Sequence, residues 1–171
     1  MNMTKTILHI ATTIDGFIAD NNGNSDFAIE AQKADENFKD FYDSVGAVVM
    51  GRRTYDYLKN QNTTLFEDKP VYVITHYLRQ QEDNVTFIHE DIKGCVTELK
   101  NKQEKNVWIL GGSEIANILL KEHMIDEVVL TVAPVILGGG TRLFKDDNPV
   151  IKMKLDQNRV FDGFVQNIYH F

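Results

Sequence analysis

The segment Val107-Trp108-Ile109-Leu110-Gly111-Gly112-Ser113-Glu114-Ile115-Ala116 leaves the backbone few paths. An apolar run breaks at two glycines, and a helical pattern carrying Ile115, Ile118 and Leu119 follows at once. This reads as a buried strand, a tight turn and a helix N-terminus. Residues without side chains at such a turn let a ligand approach the backbone closely. The helix N-terminus then offers free N–H groups and a positive dipole end to an anion. Met50-Gly51-Arg52-Arg53-Thr54 repeats the strand–Gly–helix form with two cations added. Two such turns in a chain of 171 residues point to a ligand with more than one phosphate.

Around these turns, strand and helix patterns alternate. Ile7 to Ile14, Ala47 to Met50, Val71 to Ile74, Val85 to Ile88 and Glu127 to Ala133 are rich in β-branched residues and read as strands. Glu30 to Asp43 carries Ala31, Ala34, Phe38 and Phe41 at helical spacing and reads as one amphipathic helix. Thr54 to Lys59 reads as a short helix, and Asp91 as the cap of a helix with Ile92, Val96 and Leu99. Two strands near 150–160 and 163–171 close the chain. The pattern predicts one α/β domain over residues 1–171, a sandwich with a mainly parallel central sheet and antiparallel C-terminal strands. In such sheets ligands sit beyond the carboxyl ends of strands, where both glycine turns fall.

Composition removes several function classes. A net charge of −7 argues against general nucleic-acid binding, which needs a basic face. No apolar run has the length of a membrane span, and Met1 to Thr6 shows no apolar block of the kind a secretory leader carries. The single cysteine, Cys95, suits a reducing cytoplasm and reads as a packing residue. His9, His76, His89, His123 and His170 form no close pair, so no metal site is expected. There is no G-x-S-x-G elbow, no G-x-G-x-x-G fingerprint and no P-loop.

Several clusters admit two readings. Gly51-Arg52-Arg53-Thr54 is a phosphate site or a solvated basic turn; cations at a helix N-terminus oppose its dipole, which favours an anion partner. Thr75-His76-Tyr77-Leu78-Arg79 could take the 2′-phosphate of NADPH or be an ordinary polar loop. Leu137 to Phe144, with Gly138-Gly139-Gly140, is a ligand-contacting loop or a sheet-edge bulge. Asp15, before Gly16 at the end of the first strand, is a substrate-polarising acid or a turn former. Asp35, at the border of the helix's apolar face, is a proton donor of raised pKa or a solvated helix acid.

Thr13-Ile14-Asp15-Gly16-Phe17-Ile18-Ala19, Val48-Val49-Met50-Gly51-Arg52-Arg53-Thr54-Tyr55, Val107 to Ser113 and Pro134-Val135-Ile136-Leu137-Gly138-Gly139-Gly140 occur in this order. Together they resemble the dihydrofolate reductase-like superfamily. Within it, the chain is similar to the reductase domain of riboflavin biosynthesis proteins and to stand-alone proteins like it. The resemblance implies a three-layer α/β sandwich and NADPH as hydride donor. Ala11 and Ile18 would lie beside the nicotinamide. Gly51, Arg52, Arg53 and Thr54 would hold phosphates, and Thr75 and His76 would lie near the adenosine end. Leu110, Gly111, Gly112, Ser113 and Glu114 would line the pyrophosphate and nicotinamide side, with a cis bond between the glycines.

The substrate side departs from the pattern. His9 stands where riboflavin-type reductases carry a lysine, Thr13 replaces a serine, and Asp15 is retained. The Pro-Trp of folate-type reductases is absent, Asn24-Ser25-Asp26-Phe27 occupying its place, while Asp35 falls near the folate-type acid. The implied activity resembles 5-amino-6-(5-phosphoribosylamino)uracil reductase. The alternatives are a dihydrofolate or pterin reductase, or a non-catalytic NADPH-binding protein on the same scaffold. Asp15 is the first candidate for polarising or protonating the substrate and Asp35 the second. The expected partners are a small-molecule substrate, neither nucleic acid nor membrane, and, since members of the family are often homodimers, a second copy of the chain.

Overall fold

A computed structural model of the chain describes residues 3–61 and 66–171; Met1 and Asn2 of the leader reading lie outside it. The strands are β1 (Thr6–Thr13), β2 (Phe17–Ala19), β3 (Val45–Gly51), β4 (Val71–Thr75), β5 (Val85–His89), β6 (Asn106–Gly111), β7 (Glu127–Ala133), β8 (Thr141–Arg142), β9 (Lys154–Phe161) and β10 (Phe164–His170). The helices are α1 (Asp26–Ala34), α2 (Phe38–Asp43), α3 (Arg52–Asn60), α4 (Ile92–Lys102) and α5 (Ser113–Lys121). Eight strands form one sheet in the order β5-β4-β3-β6-β1-β7-β10-β9. The first six are mutually parallel, and β10 and β9 add antiparallel. No helix among the described residues is long and apolar enough to cross a membrane.

The near-continuous apolar runs of β3 and β6 follow from burial on both faces. One face turns Leu8, Ile10, Val49, Val107 and Ile109 toward Val96 and Leu99 of α4 and Ile115 and Leu119 of α5. The other turns Val48, Met50, Val73 and Trp108 toward Phe38 and Phe41 of α2 and Tyr55 and Leu58 of α3. Asp91 caps α4, accepting from the Gly94 N–H at 2.9 Å. Cys95 is buried in the α4 packing, and burial pushes its thiol up to about 12.

The single helix expected over Glu30–Asp43 is instead two. α1 ends at Ala34, α2 begins at Phe38, and Asp35 sits in extended backbone between them. Side-chain bonding drives the break: Asp35 Oδ1 accepts from the Asn37 N–H at 2.9 Å, a local bond that competes with the helix. The break turns the carboxyl inward, so Asp35 is 8% exposed rather than the solvated helix acid of one sequence reading.

The glycine-rich segment 137–144 forms β8, which pairs antiparallel with β2. Gly140 has φ +134, and a Cβ there would stand 2.1 Å from the Ala19 carbonyl oxygen. Replacing Gly140 with alanine is expected to cost at least about 2 kcal/mol in urea unfolding. Gly23→Ala, with φ +83 but open space around it, is the control and is expected to cost less. Equal losses in the two variants would show that the β2–β8 contact is not what demands glycine.

Candidate active site

β3, β6 and β1 are neighbours in the sheet, so their carboxyl ends bring both glycine turns to one cleft. Gly51 is the N-cap of α3 and Gly112 the N-cap of α5, and neither helix has a side-chain cap. Their first N–H groups are therefore left for a ligand, unlike those of Asp91-capped α4. The two turns touch: a Cβ on Gly51 would meet the Gly112 nitrogen at 3.7 Å, and one on Gly112 would meet Thr54 Oγ1 at 3.5 Å and Ile18 Cδ1 at 3.6 Å. Gly111 has φ +114, and the Gly111–Gly112 peptide is cis.

The cations divide unequally. Arg52 bonds Asp56 at 3.0 Å and lies over the Tyr77 ring, and Arg79 grips the same carboxylate at 3.1 and 3.4 Å. Arg53 is exposed and makes no ion pair among the described residues, so it alone of the two adjacent arginines is uncommitted. His76 lies between Glu90 (Nδ1, 2.9 Å) and Glu114 (Nε2, 3.7 Å), and the Glu90 carboxylate raises its pKa. The buried Thr75 hydroxyl accepts from the Tyr77 N–H at 3.0 Å, shaping the turn after β4. Ser113 Oγ donates to the Leu143 carbonyl at 3.0 Å, docking the 141–144 segment on α5.

From this cleft a cavity runs beneath α1. Ala11, Ile18, Thr54, Leu110 and Gly112 line it at one end, and His9, Asp35, Phe38, Trp108 and Thr131 at the other. Asp35 is held by residues from the far end of the chain. Arg159 of β9 donates to Oδ1, and Gln166 of β10 donates to Oδ2 at 3.3 Å. Gln166 also donates to Thr131 Oγ1 at 2.9 Å and accepts from Arg159 Nε at 3.0 Å. The carboxylate is thus fixed in orientation at the cavity wall, its charge opposed by one guanidinium.

Asp15 is placed differently. It accepts from Thr13 Oγ1 at 2.6 Å, the Gly138 N–H at 2.7 Å and the Leu137 N–H at 3.2 Å. The Thr13 hydroxyl, then the two backbone donors, hold its carboxyl below the usual carboxylate range. It ties the β1 end to the 137–138 loop and does not line the cavity. A carboxyl whose charged form is held this way is a poor proton donor.

His9 shows what the sequence pattern left out. Its ring sits among Phe41 (centroids 4.2 Å), Trp108 (5.9 Å) and Phe38 (6.1 Å), and Nδ1 is buried without a hydrogen-bond partner. Burial pushes its pKa down to about 4 from 6.5. The folded state therefore binds fewer protons here than the unfolded chain. The stabilisation is fully present above pH 6.5 and is lost as pH falls through 6.5 toward 4. His9→Leu is expected to remove up to about 3 kcal/mol of that acid-side swing, less if the half-buried ring keeps some hydration. Parallel stability-against-pH curves for the two proteins over that window would refute the burial account.

An eight-stranded, mainly parallel sheet with an antiparallel C-terminal pair, flanked by helices and split by a cleft at β3, β6 and β1, is a dihydrofolate reductase-like fold. The chain belongs to the family described as the RibD C-terminal domain, whose pattern matches residues 4–166. It is 38% identical over 168 residues to the uncharacterized protein YwjB of Bacillus subtilis (strain 168), covering 96% of this chain and 97% of that one. A solved structure from Shewanella sp. PV-4, named for riboflavin biosynthesis, superposes with TM-score 0.85 at 29% identity over 98% of each chain. Dihydrofolate reductase from Enterococcus faecalis, solved with NADP(H), shares the fold at TM-score 0.69 and 16% identity, covering 98% of this chain and 96% of that one.

Proposed function

We propose that this chain is an NADPH-dependent reductase of a small heterocycle. The observation that carries the reading is the continuity of the site: two uncapped helix N-termini meet at the mouth of a cavity whose inner wall is a buried, oriented carboxylate. A dinucleotide fits the outer part. The N–H groups at α3 and α5 and the uncommitted Arg53 suit its phosphates, and the bare Gly51 and Gly112 leave it room. Ala11, Ile18 and Leu110 offer an apolar shelf for its nicotinamide ring. Bound there, NADPH supplies the hydride, and the protein supplies orientation and electrostatics.

The chain's own residues then set the substrate pose. Phe38 offers a ring for contact, backed by the buried Trp108, and Asp35 with Thr131 offers acceptors to ring N–H groups. Between the two acids, Asp35 is assigned to the substrate. Asp15 is a positioning residue that orders the 137–138 loop beside the cleft. Riboflavin-type pyrimidines and pterins are the substrate panel this reading supplies.

The test is a titration of the purified chain with NADPH, followed by loss of reduced-nicotinamide absorbance over that panel. The reading expects saturable binding and oxidation dependent on one heterocycle. Binding without oxidation of any of them would favour a non-catalytic nucleotide-binding role, and absence of binding would remove both readings.

A further inference from the structure

The inner cavity is defined by its charge balance as much as by its shape. Building on the reductase reading above, we propose that it selects an uncharged, non-phosphorylated planar heterocycle, and that His9 is the residue that sets this specificity.

Among the described residues, no lysine or arginine lines the cavity. The guanidinium beside Asp35, that of Arg159, is already committed: it donates to Asp35 and to Gln166, and it lies 4.5 Å from the Phe161 ring centroid. Asp35 and Arg159 therefore present a neutralised pair, with no positive charge left for a phosphate. Three helix N-termini touch the wall: Thr54 and Gly112 bring those of α3 and α5, which the reading above gives to the cofactor's phosphates, and Ser25 brings that of α1, the one left facing a substrate. Asp26 sits in its first turn and opposes an incoming anion there. Asp26 is itself anchored by the Tyr57 hydroxyl at 2.7 Å.

His9 completes the exclusion. Its ring is boxed by Phe38, Phe41 and Trp108, and the groups that act on its charge are Asp35 and Arg159, which oppose each other. Burial keeps the imidazole neutral at physiological pH. A phosphate brought here would lose water and gain no counter-charge, which is strongly unfavourable. A flat neutral ring loses little water, packs against Phe38 with Trp108 behind it, and meets an imidazole whose buried Nδ1 has no partner within the protein.

Trp108 is the chain's single tryptophan, so its emission reports occupancy of this cavity. The experiment titrates the full chain, saturated with NADP+ so that the α3 and α5 N-termini are already occupied, with 5-amino-6-(5-phosphoribosylamino)uracil, with the same compound after phosphatase treatment, and with pterin. The proposal expects quenching by the two phosphate-free compounds. It also expects removal of the phosphate to tighten binding at least about tenfold. Equal or tighter binding of the phosphorylated form overturns it, as does absence of quenching by both phosphate-free compounds. His9→Lys is expected to shift the ratio at least about tenfold toward the phosphorylated form, while neutral His9→Gln keeps the wild-type ratio. An unchanged ratio in His9→Lys removes His9 from the specificity. Cofactor binding is titrated first and oxidation is measured separately, so failure of the selectivity is separable from failure of the reductase reading, which those two measurements decide.

Discussion

Asp35→Ala is expected to lower NADPH oxidation at least about 100-fold, through loss of substrate orientation. The NADPH dissociation constant should stay within a few-fold, because Asp35 lies at the inner end of the cavity, away from Gly51 and Gly112. The same change is expected to lower the unfolding free energy by about 3 kcal/mol, because it strands Arg159 next to Gln166 without its counter-charge. The figure sits at the lower end for a buried pair, since the Arg159 side chain keeps 28% of its surface exposed. Asp35→Asn separates the two effects. It keeps the shape and one acceptor oxygen, which can serve Arg159 and the Asn37 N–H or Gln166 but not both, so stability recovers in part while oxidation stays low. Full oxidation by a folded Asp35→Asn variant would return the substrate role to Asp15 or to no acid at all.

Gly51→Asp should dissociate fold from binding in the opposite sense. A Cβ at Gly51 meets only ordinary contacts, Ile115 Cγ1 at 3.4 Å, the Gly112 nitrogen at 3.7 Å and the Gly111 carbonyl oxygen at 3.9 Å, so the side chain can be housed. Aspartate is a strong N-cap, and α3 now has no side-chain cap. Stability is expected to hold or rise by up to about 1 kcal/mol. The new carboxylate would occupy the N–H groups proposed for a cofactor phosphate and repel it. NADPH affinity is therefore expected to fall at least about 100-fold. Thermal unfolding and NADPH titration of one preparation check both halves. Unchanged affinity would place the phosphates elsewhere.

The sheet's parallel half was legible because each of its strands announces itself locally. Val107–Leu110 and Ala47–Met50 are short apolar runs ending at glycine, a pattern that a parallel strand buried on both faces produces and that few other structures do. The two glycine turns were legible for the same reason: Gly51-Arg52-Arg53-Thr54 and Gly111-Gly112-Ser113 each set a strand end and a helix start within a few residues. The helix break at Asp35 was not. Ala31, Ala34, Phe38 and Phe41 keep helical spacing across it, and nothing in that spacing shows that the Asp35 carboxylate bonds the Asn37 N–H instead.

Arg159 and Gln166 were missed altogether. Both sit on C-terminal strands more than 120 residues after Asp35 and carry no local motif. In β10, Gln166 stands beside Asn167 with nothing in the pattern to mark it, and only the fold leaves it 3% exposed.

By itself, then, the sequence determined the α/β alternation, the two uncapped glycine turns and the family pattern, since each rests on neighbours a few residues apart. The tertiary structure decided which cations are free, which of the two acids faces the cavity, and that His9 stands neutral in an aromatic box. Charge pairing and desolvation depend on which distant side chains the sheet order brings together, and that order places β10 beside β7 and β9 beyond it, away from β3 and β6, which bear the glycine turns.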